Sequence, residues 1–90
     1  MNRADRIREG IASALAPDVL EVTDDSHLHA GHAGAQPGGE THYSVTVVSA
    51  QFDGQSRVTR QRAVYALLEK EFQSGLHALS VRALTPAEHV

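Results

Sequence analysis

Histidine is the reactive residue type in which this sequence is rich: six of its 90 residues, at 27, 29, 32, 42, 77 and 89, while cysteine is absent. Neutral imidazole is the commonest protein ligand for transition metals, so a His-x-His-x-x-His run at 27 to 32 has the composition of a metal-capturing segment. The lack of cysteine excludes disulfides, thiolate nucleophiles and any all-thiolate iron-sulfur site built by this chain alone. A soft ligand would have to come from another molecule. A second chemically capable set is Arg57, Arg60 and Arg62, where guanidinium groups at the opening of a helix can reach phosphates or guanine edges. Arg57 and Arg60 are spaced i, i+3 and share a helical face, whereas Arg62 points elsewhere. The competing reading of these arginines is a solvated surface for a protein partner. Paired carboxylates with a plausible partner, a Ser-His-Asp spacing and a phosphate loop are all missing, so no enzyme site is expected.

Ninety residues suffice for one small domain, taken as 1–90, burying about 60 to 65% of the surface that the unfolded chain exposes. Hydrophobic residues at 41%, charged residues at 21% and a net charge of −3 describe an ordinary globular composition, not a disordered or fibrous one. The acidic balance and an aromatic set of only Tyr43, Phe52, Tyr65 and Phe72 argue against a strong general phosphate binder or a stacking platform for single strands. No apolar run approaches the roughly 18 residues of a membrane span, and Met1 to Arg6 leads into no signal-peptide core. The expectation is no membrane association and a cytoplasmic location.

The elements that must position these residues follow from periodicity. Ile7, Ile11 and Leu15 recur every four residues and predict a first helix stopped by Pro17, with Arg3, Arg6, Arg8 and Glu9 mostly off the stripe. Val19 to Thr23 is a β-branched run ended by Asp24-Asp25-Ser26, a first strand. Residues 26 to 40 carry no hydrophobic period and predict a long, glycine-rich connection of the kind usually kept for function. Tyr43, Val45 and Val47 alternate with Ser44 and Thr46, predicting a half-buried strand over 42–49. Phe52-Asp53-Gly54 is a turn signal. Val64, Leu67, Leu68 and Phe72 predict one main helix from Arg60 onward, closed by Gly75. Leu76 to Ala83 alternates again as a third strand, and Thr85-Pro86-Ala87-Glu88 has the capping box of a terminal helix. The order α-β-β-α-β-α predicts an α+β fold, a three-stranded sheet with helices on one face.

In that order, Ser26-His27-Leu28-His29-Ala30, Gly39-Glu40-Thr41-His42-Tyr43, Val47-Val48-Ser49, Phe52-Asp53-Gly54, Thr59-Arg60-Gln61-Arg62 and Leu76-His77-Ala78-Leu79 resemble the BolA family over nearly the whole chain. The resemblance implies a KH-like fold of type II topology. It does not carry RNA binding with it: a KH domain clamps the backbone through a GXXG loop, residues 53–60 hold a single glycine, and the literal Gly31-His32-Ala33-Gly34 lies in the strand connection.

The resemblance further implies a heterodimer with a monothiol glutaredoxin, in which a labile 2Fe-2S cluster is held by the glutaredoxin cysteine and glutathione on one side and by this chain on the other. His77 matches the family's cluster-binding histidine, and a second ligand comes from the connection between the first two strands. Counting forward from Ser26 selects His29, and counting back from Gly39 falls closer to His32. His29 is preferred, His32 follows, and His27 is the outlier. Two imidazoles in place of two thiolates reduce the negative charge on such a cluster and raise its potential. Only neutral histidine ligates, so mild acid is expected to loosen it. His42 at a strand start is expected to play a structural hydrogen-bonding role, and His89 to be tail. The alternative that the resemblance implies is a DNA-binding regulator of stress or morphology genes acting through Arg57, Arg60 and Arg62. A homodimer of the apo chain, paired through exposed edge strands, is a further expectation.

Overall fold

Arg3, Ile7, Ile11 and Leu15 fall at every fourth position, and in a computed structural model describing residues 2–26 and 39–89 they form the buried stripe of helix α1 (Arg3–Leu15). The Asn2 side chain caps its start by accepting from the Asp5 amide at 2.9 Å. Ala16 ends it in the left-handed region (φ 42°), donating its N–H to the Ala12 carbonyl, and Pro17 forbids continuation. Strand β1 (Val19–Asp24) and strand β2 (His42–Val48) pair antiparallel, with Leu20 opposite Val47 and Val22 opposite Val45. A 3-10 turn (Ala50–Phe52) then leads to helix α2 (Arg57–Leu67), helix α3 (Glu69–Gln73) and strand β3 (Ala78–Leu84). β3 lies beside β2 in parallel, which requires a crossover, and α2 and α3 supply it.

The period of two decides which sheet face is covered. Tyr43, Val45, Val47 and Leu79 turn to one face and close a core with Ile7, Ile11 and Leu15 of α1, Val64 of α2, and Phe52, Leu68 and Leu76. Burying each of these aliphatic side chains contributes about 1.5 to 3 kcal/mol. The opposite face carries Glu21, Thr46 and Arg82 side by side in register, and Thr23, Ser44 and Ser80 in the next row. The expected α+β fold, with helices on one face of a three-stranded sheet, is the one observed.

Three expectations are corrected. The main helix is two helices, because at Leu68 (φ −110°, ψ 16°) the chain tightens so that its N–H bonds Tyr65 O at 3.1 Å. The new direction keeps Leu68 in the core and aims Glu71 at Arg3 and Arg6, with which it forms ion pairs of 2.9 and 3.0 Å. The terminal capping box forms reciprocally, Thr85 N–H to Glu88 Oε1 at 2.8 Å and Glu88 N–H to Thr85 Oγ1 at 3.3 Å. It closes a 3-10 turn (Pro86–His89), not an α-helix, since Arg60 also holds Glu88. The third strand starts two residues later than predicted, as the amides of both His77 and Ala78 donate to the Thr41 carbonyl.

Gly75 joins α3 to β3 with φ 130°, and a Cβ there would lie 3.0 Å from Arg3 Nη2. Arg3 is only 8% exposed and donates to the Glu71 and Ser74 carbonyls, so it has little room to move aside. Gly75→Ala is therefore expected to destabilise the fold by about 1 to 3 kcal/mol, read as a lower urea midpoint at unchanged slope.

Candidate functional site

Ser26, at the end of the first strand's turn, is buried, and its Oγ accepts from the amides of Thr41 at 2.9 Å and His42 at 3.1 Å. These bonds tie the two ends of the long connection together. A Cβ placed on Gly39 would sit 3.6 Å from Ser26 Cβ, so the chain leaves and returns side by side. The return uses two consecutive left-handed residues, Gly39 (φ 74°) and Glu40 (φ 61°), the latter anchored by its Oε1 accepting from the Arg3 amide at 2.8 Å. His29 and His32, the predicted second ligands, lie outside the described residues, as does His27.

From this stem β2 begins with His42, a buried ring whose Nδ1 lies 2.8 Å from Thr41 Oγ1. Thr41 also accepts at its carbonyl from His77 N–H at 2.8 Å, which fixes the backbone of His77 immediately before β3. The two imidazoles meet with centroids 5.2 Å apart and planes inclined at 55°. His77 is exposed while His42 is buried. The arrangement is a solvent-facing imidazole, fixed at its backbone on a sheet and backed by a second ring. Among the described residues, no group of three or more His, Asp or Glu side chains is placed to hold a metal ion. A metal group at His77 would need donors from beyond those residues. The donor chemistry fits a shared group: an exposed imidazole on a backbone fixed to the sheet.

Neighbouring groups sharpen this. Burial first, then the charges of Asp24 and Glu40, push the Tyr43 phenol up to about 12, so it remains neutral and offers no phenolate ligand. Burial alone would raise the Asp24 carboxyl, but hydrogen bonds from Ser26 outweigh it and hold that carboxyl below its ordinary value. Asp24 Oδ1 accepts from Ser26 N–H at 2.8 Å and so braces the stem.

The arginines separate. Arg57 and Arg62 are exposed on α2, but Arg60 is 6% exposed. Its Nη1 donates to Glu88 Oε1 at 2.6 Å and Ala83 O at 3.2 Å, its Nε to Gln55 O at 3.0 Å, and its guanidinium carbon lies 5.9 Å from the centre of the Phe52 ring. The three therefore do not form one surface: Arg60 is turned to the fold and away from solvent. The residue types of Ser26 and Thr41 carry no site signal. The available signal was positional, two small hydroxyl residues bracketing a connection whose ends must be joined.

A mixed three-stranded sheet with its helices on one face and an exposed histidine before the last strand defines a small α+β domain. Residues 11–88 match the family model described as BolA-like protein, and the chain belongs to that family. It is 50% identical to SufE-like protein 1, chloroplastic/mitochondrial, of Arabidopsis thaliana over 97% of this chain, and 47% identical to Protein BOLA1, chloroplastic, of the same plant over 97%. The chain spans 24% of the length of the first and 56% of the second. The solved BolA domain of SufE1 from Arabidopsis thaliana superposes with a TM-score of 0.88 at 50% identity, covering 98% of this chain and 96% of that one.

Proposed function

We propose that this chain is the histidine-donating half of a heterodimer with a monothiol glutaredoxin, and that the pair holds, passes on or senses a labile 2Fe-2S cluster. The observation that carries the reading is His77: exposed, fixed by its own amide to Thr41, and backed by the ring of His42. The stem tied at Ser26 brings the connection's two ends to the backbone of His42, where a second imidazole from His29 or His32 would complete the set. With no cysteine here, the thiolates come from the glutaredoxin and glutathione. When bound, such a mixed-ligand cluster supplies a labile group of raised potential. The chain's own part is to present imidazole nitrogen from a fixed backbone.

The test is anaerobic reconstitution of this chain with a monothiol glutaredoxin and glutathione, followed by visible circular dichroism. The mixture is expected to give a cluster spectrum that neither protein gives alone, and to lose it on mild acidification, because only neutral imidazole ligates. A spectrum identical to that of the glutaredoxin alone sinks the reading. DNA binding through α2 draws weaker support, since Arg60 is committed to Glu88 and leaves Arg57 and Arg62. It would show as affinity falling steeply with salt, a dependence that imidazole ligation lacks.

A further inference from the structure

The free edge of β3 is partly closed from within. Ala78 N–H donates to Thr41 O and Ser49 N–H to Leu84 O, so the even-numbered residues of β3 bond to β2. The peptide groups of Leu79, Val81 and Ala83 therefore face outward, where no further strand pairs among the described residues. Two side chains of α2 occupy carbonyls there: Tyr65 OH donates to Leu79 O at 2.6 Å, and Arg60 Nη1 to Ala83 O at 3.2 Å. Between them Val81 has no partner for its N–H or its C=O among the described residues. The edge thus offers the amides of Leu79, Val81 and Ala83 and the single carbonyl of Val81.

Charge and shape beside this edge agree with one kind of occupant. A cleft of about 420 Å³ runs between α2 and β3, lined by Arg57, Gln61, Val81, Arg82 and Glu88 among others. Gln61 is shared with a second hollow of about 350 Å³, lined also by Val58, Arg62 and Tyr65, where Val58 is 56% exposed. Arg57, Arg62 and Arg82 are exposed and make no hydrogen bond or ion pair among the described residues, and the carboxylate of Glu88 is taken by Arg60. We propose that this edge receives a short, extended, acidic segment of a partner protein, which adds to the sheet at Val81 and sets its carboxylates against Arg57, Arg62 and Arg82. Residue-for-residue pairing at Val81 exchanges an N–H and a C=O in each direction, which a peptide backbone satisfies. The sugar-phosphate backbone of DNA has no donor for the Val81 carbonyl. Tyr65, the aromatic ring at the hollow, is stacked on Phe72 with centroids 5.2 Å apart, which removes one face as a platform for bases. Val58 gives one apolar contact for a side chain of the guest strand.

The test titrates the full chain, labelled with 15N, with the capped peptide Glu-Glu-Val-Glu-Glu, whose alternating carboxylates reach both Arg82 on one sheet face and Arg57 and Arg62 on the other, with two versions of it N-methylated at alternate residues, with its Lys-Lys-Val-Lys-Lys counterpart, and with oligothymidylate. The amide of Val81 is expected to show the largest downfield shift on adding the acidic peptide. One N-methylated version is expected to bind about tenfold more weakly, since it leaves the Val81 carbonyl unpaired. Arg57→Glu with Arg82→Glu, both at exposed positions, is expected to weaken the acidic peptide about tenfold and to favour the lysine one. Equal binding of the parent and both methylated peptides would reduce the site to general attraction and overturn strand addition. Oligothymidylate binding tighter than the peptide, or no saturable shift at Val81, overturns the proposal as well.

Discussion

Replacing His77 with alanine is expected to shorten the life of the reconstituted cluster by at least about tenfold while leaving the fold as stable as before. The two halves of this expectation rest on different atoms. The bond that seats residue 77 on the sheet runs from its backbone N–H to Thr41 O, so alanine keeps it. The imidazole itself is exposed, and exposed side chains without special bonds contribute within about 0.5 kcal/mol. What is lost is the outward nitrogen. His42→Ala should behave in the opposite way, losing about 1 to 2 kcal/mol because its buried ring nitrogen is partnered by Thr41 Oγ1. His89→Ala, at the far terminus, is the neutral comparison. The measurement is the decay of the visible circular dichroism after exposure to a competing chelator, alongside urea unfolding of each variant. Wild-type decay in the His77 variant would remove this residue from the ligand set and with it the proposed role.

How much of this could be read from residue types alone differs from element to element, for physical reasons. The Ile7, Ile11 and Leu15 stripe and the Tyr43, Val45 and Val47 alternation predicted α1 and β2 because each buries one face, and burial writes its period into the sequence. Arg3, expected mostly off the stripe, stands four residues before Ile7 and is buried with it. Burial of Arg3 is possible only because Glu71 and the Ser74 and Glu71 carbonyls converge on it from 68 to 71 residues away. No local pattern encodes that convergence. The same holds for Leu68, an unbroken helical position by spacing, where the break serves the distant Glu71 to Arg3 and Arg6 contacts. At the site, His77 was legible as a type and position, but its partner ring was not. The contact between His42 and His77 follows from the parallel register of β2 and β3, which aligns His42 with Ala78 across 36 positions of sequence.

Arg60, read from sequence as a surface cation, is expected on substitution by alanine to cost about 2 kcal/mol, lowering the melting temperature by about 8 to 16 °C in a domain of this size. Its guanidinium joins four elements of the chain: Gln55 before α2, Ala83 in β3, Glu88 in the terminal turn and the Phe52 ring beneath it. Methionine at 60 would keep the aliphatic cover over Phe52 and lose the bonds, so the difference between the two variants separates packing from polar linkage. Lysine would keep the charge without the fork that meets Oε1 and Oε2 of Glu88 together. The pH dependence gives an independent reading. The Arg60 hydrogen bond first, then the Thr85 amide, hold the Glu88 carboxyl at about 2, against an ordinary 4.5. A depressed carboxyl contributes stability that is fully present above 4.5 and is lost as pH falls towards 2. Wild-type protein should therefore lose part of its stability across that interval, and the alanine and methionine variants should lose correspondingly less, because much of the linkage is already gone at neutral pH. Thermal melts at steps between neutral pH and about 2 decide the matter. Parallel dependence of the melting temperature on pH for wild type and Arg60→Ala across the acid range would show that Arg60 acts through its packing on Phe52 and its carbonyl contacts, with the Glu88 ion pair contributing nothing measurable.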